Sequence, residues 1–236
     1  MSKSHNVVFY TTPSHICPYL PDKLAINAIV DPEHEPTAAL YSHLTERGFR
    51  RSGSQLYRPW CPECKECIPT RIPVDTFKAS RSQKRTWKKN QDLQVSIKQA
   101  KLNDEYFDLY TRYLETRHND GDMSDPLPDD FTEFLMNGWC ETWFIEFRKK
   151  GRLIAVAVTD PLKKGLSSIY TFFDPTESKR GLGVFALLWQ IEYSKAQQLK
   201  YVYPGYWIRS APKMAYKINY QPIEGYLLKR WYVLAK

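Results

Sequence analysis

Three of the five cysteines in this 236-residue chain lie on one short stretch, at Cys61, Cys64 and Cys67. Cys17 lies far from them in sequence, beside the turn-forming Pro18, and could supply a fourth soft ligand. Thiolates separated by two residues suit zinc or an iron–sulfur cluster, and the spacing does not distinguish the two. We expect the four thiols to meet in one place; a metal site and plain reduced thiols are the two interpretations.

The stretch 78–89 carries six basic residues and no acidic one. At about 100° per residue in a helix, all six fall on one arc. These residues are Lys78, Arg81, Lys84, Arg85, Lys88 and Lys89. No acidic neighbour relieves their mutual repulsion, so the arc is expected to bind a phosphate backbone or an acidic peptide. A solvated surface is the alternative.

Two further segments could contact a substrate. Gly181 and Gly183 precede an expected helix, where free backbone N–H groups can bind an anion, although a plain helix start fits equally well. Tyr206 and Trp207 lie in a segment dense in aromatic and basic residues, and their rings could stack on a terminal base. Packing in the core is the other interpretation of any single ring.

Other common catalytic signatures are missing from the sequence. It contains no HExxH motif, no Walker motif and no Ser-His-Asp order. Four histidines are expected at the surface or in helix caps rather than as ligands. These are His15, His34, His43 and His118.

Composition describes a basic globular protein. Hydrophobic residues make up 42% and charged residues 25%, the net charge is +8 and the mean hydropathy is -0.54. No apolar run approaches the ~18 residues that a membrane span needs, and the first residues lack an apolar signal core. The positive net charge favours a polyanionic or acidic partner. The lack of an apolar span and of a signal core excludes a membrane protein and favours a cytoplasmic location. The globular composition excludes extended disorder.

The hydrophobic pattern predicts elements that could position these residues. Helices are expected over 38–47, 80–91 and 184–198 and after Asn103, hairpins over 49–59 and 143–159, strands over 94–98, 166–173 and 200–203, and an acidic loop over 119–130. The hairpin, long strand, glycine-bearing loop, helix and strand from 143 onward follow the order of the Gcn5-related acyltransferase core. We predict an α+β fold, with a cysteine-bearing N-terminal domain over 1–75, a basic connecting helix over 76–91 and an acyltransferase-like domain over 92–236.

Several motifs, in order along the chain, are similar to one known family. They are Cys17-Pro-Tyr-Leu-Pro, Tyr57-Arg-Pro with the three cysteines, Arg71-Ile-Pro-Val, Ser80-Arg-Ser-Gln-x-Arg85, Phe172-Phe-Asp-Pro, Gly181-Leu-Gly-Val, Gly205-Tyr-Trp-Ile and Lys213-Met-x-Tyr-Lys217. Together they resemble the bacterial leucyltransferases related to arginyl-tRNA–protein transferases, over nearly the whole chain. The resemblance implies transfer of Leu from leucyl-tRNA to proteins that begin with Asp or Glu, in the N-degron pathway.

The resemblance also implies roles for particular residues. Cys17 and the three clustered cysteines would correspond to regulatory cysteines for which iron–sulfur binding is known in eukaryotic relatives. The aminoacyl ester is already activated, so the chemistry requires no cofactor; the enzyme must align the amine, remove its proton and stabilise an oxyanion.

Further candidates follow for each of these tasks. Tyr170 and Asp174 are the candidates for proton handling. Cations would hold the acidic side chain of the acceptor, and other cations would contact tRNA phosphates. The first group is Arg81, Arg85, Lys213 and Lys217, and the second is Lys84, Lys88 and Lys89.

Two other function classes fit the same residues. One is an acetyl-CoA-dependent acetyltransferase, although Ser178 stands where the acetyl-CoA-binding core carries Arg or Gln. The other is a tRNA-binding metal protein without catalytic activity. The residues alone do not distinguish a Leu, Arg or Phe donor, and they do not give the oligomeric state.

Overall fold

The fold comes from a computed structural model that describes residues 7–33, 35–117 and 126–235. His34, His118 and residues 119–125 of the expected acidic loop lie outside the described residues. No helix within those ranges is long and apolar enough to cross a membrane.

The strands and helices follow one another along the chain in a mixed order. The strands are β1 (Phe9–Thr11), β2 (His15–Ile16), β3 (Leu24–Ala25), β4 (Asn27–Val30), β5 (Arg50–Ser52), β6 (Gln55–Pro59), β7 (Ile68–Pro73), β8 (Gln94–Gln99), β9 (Trp143–Lys149), β10 (Arg152–Leu162), β11 (Gly165–Phe173), β12 (Tyr201–Trp207), β13 (Glu224–Leu227) and β14 (Arg230–Val233). The α-helices are α1 (Ala38–Thr45), α2 (Arg81–Lys89), α3 (Asp104–Arg117), α4 (Pro128–Leu135), α5 (Leu182–Ala196) and α6 (Pro212–Ala215). Two 3-10 helices cover Pro175–Arg180 and Tyr216–Asn219.

Most strands belong to one large sheet, with the order β14-β13-β7-β12-β11-β10-β9-β8. The expected antiparallel trio β9, β10 and β11 is confirmed, and β12 joins it in parallel. A smaller sheet has the order β1-β4-β6-β5. β7 comes from the N-terminal part of the chain but pairs with β12 and β13, so both parts contribute to the large sheet. The division at residues 75 and 92 stays a prediction.

Alternating strand residues pack two cores on opposite faces of the large sheet, as the period of two in a β-strand requires. Phe144 and Phe172 face the aromatic residues of α3 and α4, such as Tyr110. Ile145 and Phe173 instead face α5. β11 is therefore packed between two layers of helices.

A buried ion pair joins the small sheet to the large one. The guanidinium of Arg51 on β5 donates to both carboxylate oxygens of Asp160 on β10, at 2.6 and 2.8 Å, and both side chains are fully buried. Thr142 and the Tyr41 hydroxyl also donate to Asp160. Because every charge in this network has a partner, it fixes β5 against the large sheet.

Candidate functional site

The large sheet opens between two adjacent strands. β11 and β12 pair in parallel from Gly165 with Tyr201 to Ser167 with Tyr203, and the pairing stops there although both strands continue. We call the space beyond the last pair the strand fork. Such an opening exposes backbone groups of two strands to one small space, which is where a reacting group can be held.

Arg50 fills the base of the strand fork. From β5, its guanidinium donates to the carbonyl of Tyr203 on β12, at 2.9 Å, and to the carbonyl of Ser168 on β11. Arg50 is only 7% exposed, and it forms no salt bridge with any carboxylate in the described part of the chain. A guanidinium has five N–H donors, so buried positive charge and unused donors remain at the fork.

Lys217 lies near Arg50, beside Gly205, and is 4% exposed. Its Nζ donates to the Tyr206 carbonyl at 2.6 Å and contacts the Met214 sulfur at 3.2 Å. Burial, and then the charge of Arg50, lower the pKa of Lys217 from its ordinary value to about 7. The amine is therefore partly neutral at neutral pH, which is unusual for a lysine.

Gly205 brings these two cations to one point. Its φ of +94° is a conformation that favours glycine. A Cβ on Gly205 would lie 3.7 Å from Lys217 Nζ and 3.8 Å from Arg50 Nε. Lys217 is among the residues predicted from the sequence, whereas Arg50 is not. The Arg50-Arg51 pair inside the predicted hairpin is the signal that could have indicated it.

The four predicted thiols line one cavity of about 760 Å³. Burial, and the proximity of Cys17, Cys61 and Cys64, raise the pKa of Cys67 to about 12. All are free cysteines. In residues 7–33, 35–117 and 126–235, no group of three or more Cys, His, Asp or Glu side chains is arranged to hold a metal ion. Zinc or an iron–sulfur cluster at these four thiols stays a prediction.

The two residues predicted for proton handling have other contacts. Both oxygens of Asp174 are engaged: Oδ1 accepts from Thr176, and Oδ2 accepts from Arg112 and Arg152. Burial alone would raise the pKa of Asp174, but these hydrogen bonds and charges together lower it. Burial also raises the pKa of Tyr170 far above its ordinary value. These environments favour structural roles, and catalysis by either residue stays a prediction.

The basic helix lies beside the glycine loop. Ser80 and Gln83 form a capping box that starts α2, and Thr86 on α2 faces Gly181, whose φ of +67° suits glycine. Lys78 precedes α2, so only five of the six basic residues predicted on one arc lie on the helix. All six are exposed, and none forms a salt bridge within the described ranges. Gly183 lies in the first turn of α5, which has no side-chain cap. Binding of tRNA or an acidic peptide here stays a prediction.

The aromatic candidates are buried. The single Tyr206 hydroxyl proton is shared between the carbonyls of Gly48, at 3.0 Å, and Tyr57, at 3.3 Å, and the Trp207 indole donates to the Ala215 carbonyl. Only Tyr206 also lines the cavity of the thiols. Lys213 is exposed on α6. Stacking of these rings on a base, and binding of a carboxylate by Lys213, stay predictions.

Two family models match the chain. The one described as "Arginine-tRNA-protein transferase, N terminus" covers residues 15–85, and the one described as "Arginine-tRNA-protein transferase, C terminus" covers residues 105–227. The first contains the cysteines and Arg50, and the second contains the strand fork and Lys217. The site is therefore assembled from both matched segments.

Curated relatives match the chain from end to end. Proteins named aspartate/glutamate leucyltransferase are 50% identical in Hahella chejuensis, over 98% of this chain and 99% of the relative, and 48% identical in Nitrosococcus oceani, over 99% of both. A solved structure of L-PGS from Bacillus licheniformis aligns with 61% of this chain and 46% of its own, with 12% identity and a TM-score of 0.46, which is too weak a likeness to support an argument. The family models and the curated relatives show that the chain belongs to the arginine-tRNA-protein transferase family.

Proposed function

We propose that this protein transfers a leucyl group from leucyl-tRNA to the α-amine of proteins that begin with Asp or Glu. The observation that carries the proposal is the identity of about half of all residues, over nearly the full chain, with proteins named for that activity. Its partners are leucyl-tRNA and acidic N-termini, and the cytoplasm, where charged tRNA is available, is the expected location.

We also propose that the C-terminal part of the chain has a Gcn5-related acyltransferase core. β9 and β10 form a hairpin, β11 follows, the loop with Gly181 leads into α5, and β12 returns beside β11. This order supports a Gcn5-related acyltransferase core. The strand fork is then the place where the acyl carbon reacts.

The reaction forms one bond and breaks one. The α-amine nitrogen of the acceptor attacks the ester carbonyl carbon, and the resulting tetrahedral intermediate carries a negative oxygen. The carbon–oxygen bond to the terminal ribose then breaks, and the ribose oxygen leaves with a proton. Because the acceptor amine is an ammonium ion in solution, it must first lose one proton.

Lys217 is the group we assign to take that proton. Its hydrogen bonds to the Tyr206 carbonyl and the Met214 sulfur use two N–H groups, which leaves the lone pair of a neutral amine free. A base works best when its pKa lies near the working pH, and the pKa of Lys217 is about 7. This role differs from the carboxylate binding expected from the sequence.

Arg50 is the group we assign to the negative charge of the intermediate. It is permanently charged, held by two backbone carbonyls and partly shielded from water. Donors that are fixed in advance in such a place stabilise a developing oxyanion at no cost of reorganisation. The acidic side chain of the acceptor is left to the exposed cations Arg81, Arg85 and Lys213, as predicted from the sequence.

The proposed activity is tested by offering several donors to one protein sample. We expect an Asp-initiated peptide to gain one leucine by mass spectrometry with leucyl-tRNA, and no addition with arginyl-tRNA or acetyl-CoA. An Asn-initiated peptide is the matched acceptor control and should fail because it lacks the charge. Acetylation without any response to leucyl-tRNA would instead identify an acetyltransferase, and tRNA binding without transfer would identify a binding protein.

The role of Lys217 is tested by two substitutions that separate charge from proton transfer. Lys217→Arg keeps the charge but cannot release its proton at neutral pH, whereas Lys217→Met removes both. If Lys217 is the base, both variants lose transfer, and the inflection of kcat/KM near pH 7 disappears. Retained transfer in Lys217→Arg would show that the residue only supplies charge.

A further inference from the structure

A second cavity adjoins the one that contains the thiols. It has a volume of about 550 Å³, and Arg58, Trp60 and Tyr226 line both cavities. Both volumes lie within the roughly 300–1,000 Å³ that is typical of ligand sites. We call the two cavities together the Trp60 groove.

Aromatic rings stand open to solvent along this groove. Trp60 is 57% exposed, Tyr10 is 52% exposed and Phe9 is 44% exposed. The guanidinium of Arg58 lies 5.9 Å from the Trp60 ring and 5.6 Å from the Tyr226 ring. Exposed apolar rings grouped in one place mark a binding surface rather than a solvated one.

The charge of the groove has one sign. Five cations belong to the lining of its two cavities, whereas no Asp or Glu is among the described residues that line either. None of these cations forms a salt bridge with a carboxylate in the described ranges. The cations are Lys23, Arg47, Arg58, Lys65 and Lys229. The lining therefore suits an anion that carries flat apolar groups.

We propose that the Trp60 groove binds the unpaired 3′ end of the donor tRNA, an inference that rests on the proposed function. Open aromatic faces inside a positive groove are how proteins hold single-stranded nucleic acid, with bases on the rings and phosphates on the cations. An acidic acceptor residue, in contrast, would be recognised by the cations of a single pocket. Its carboxylate would not stack on aromatic rings that are spread over two cavities.

The position of the groove agrees with this occupant. Tyr206 lines the groove, and its carbonyl holds Lys217 at the strand fork. The aminoacyl end of an RNA strand bound along the groove would therefore point toward the strand fork. Lys84, Lys88 and Lys89 lie on a different element, α2, and remain available to the duplex part of the tRNA.

The experiment uses the full chain and a short RNA ending in ACCA, with leucine joined to the 3′ end through a stable amide. Binding is followed by fluorescence anisotropy. We expect Trp60→Ala to weaken binding about 5- to 150-fold, the range for one stacked base, and Trp60→Phe to retain most of it. Tyr232→Ala is the matched control, because Tyr232 is 45% exposed but lines neither cavity.

Leucyl transfer by the same variants separates this inference from the proposed function. If the groove binds the tRNA end, we expect Trp60→Ala to raise KM for leucyl-tRNA and to leave KM for the Asp-peptide and the thermal midpoint unchanged. An unchanged KM for leucyl-tRNA overturns the inference while the function stands. A raised KM for the peptide alone assigns the groove to the acceptor instead. Failure of the unmodified protein to transfer leucine at all refutes the function itself.

Discussion

Arg50 and Arg51 are neighbours on β5, yet their surroundings differ completely. Successive strand residues point to opposite faces, so one guanidinium meets Asp160 and the other meets the strand fork. Arg51 has a carboxylate, a hydroxyl and two carbonyls as partners. Arg50 has two carbonyls and no described carboxylate.

The difference separates a structural cation from one that is available to a substrate. A buried charge is tolerated when partners compensate its loss of hydration. Partners within the protein fully compensate the charge of Arg51, so this charge is not available to a ligand. Arg50 keeps uncompensated charge next to Lys217, so an incoming negative group completes its surroundings. The exposed arc of α2 is a third case, because water already compensates it.

The largest expected effect is on stability, at Arg51. Arg51→Met leaves the Asp160 carboxylate buried without its cation, which should lower the free energy of unfolding by about 3–5 kcal/mol. Urea denaturation measures this. Arg50→Met should cost clearly less, since it strands only two carbonyls. Equal losses of unfolding free energy in the two variants would contradict the distinction between the two arginines. Adding Asp160→Leu to Arg51→Met removes the unpaired carboxylate and should recover part of the lost stability.

The next effect is on catalysis, at Arg50. Arg50→Lys retains the charge but cannot bridge the carbonyls of Ser168 and Tyr203 together. We expect kcat for leucine transfer to fall about 100- to 1,000-fold, as for the loss of an oxyanion donor, with a folded protein by circular dichroism. Arg148→Lys, on β9, is the control and should keep full activity. A normal kcat in Arg50→Lys would remove the fork from the mechanism.

A smaller effect concerns the pH dependence of stability, at Lys217. Its pKa falls from an ordinary value near 10.5 in the unfolded chain to about 7 in the fold. Below pH 7 both states bind the proton and the buried charge carries its full cost. Between pH 7 and 9 the unfolded chain binds more protons, so stability rises with pH, by up to about 1.4 kcal/mol per unit.

This contribution is isolated by comparison with Lys217→Met. Unfolding free energies of both proteins are measured from pH 6 to pH 9. We expect the wild type to gain stability relative to the variant above pH 7, since all other titrations cancel in the difference. A constant difference across this range would mean that Lys217 titrates normally and is no base.

The smallest effect belongs to the exposed arc. Replacing Lys84, Lys88 and Lys89 by Gln should weaken tRNA binding modestly and flatten its salt dependence, by about 0.9 in logarithmic slope for each phosphate that is no longer neutralised. Filter binding from low to moderate salt measures the slope. A control with the same net charge replaces the exposed lysines Lys98, Lys101 and Lys195. The same slope in both triple variants would assign the arc to solvent.

Much of the local structure was readable from the sequence. A helix cap, an apolar stripe and the pattern of basic residues helped to locate α1, α2, α3 and α5, and β-like apolar segments located the trio β9, β10 and β11. Short strands such as β4 and β13 were missed, because a strand of four residues carries too little periodicity. The insertion of β7 beside β12 was missed as well, since long-range pairing leaves no mark on local pattern.

The candidate site was predictable only where residues are neighbours in sequence. The cysteine motif, the basic arc and the Lys213-to-Lys217 motif all stand out in the chain, and the motifs sufficed to indicate the family. Residue types and spacing determine these features, since they are local. Only the tertiary structure decided which cations are buried and which have a carboxylate partner. Burial and partners in turn set the pKa of a group and the extent to which its charge is compensated. Arg50, Arg51 and Lys217 acquire their different properties from contacts with residues distant in sequence.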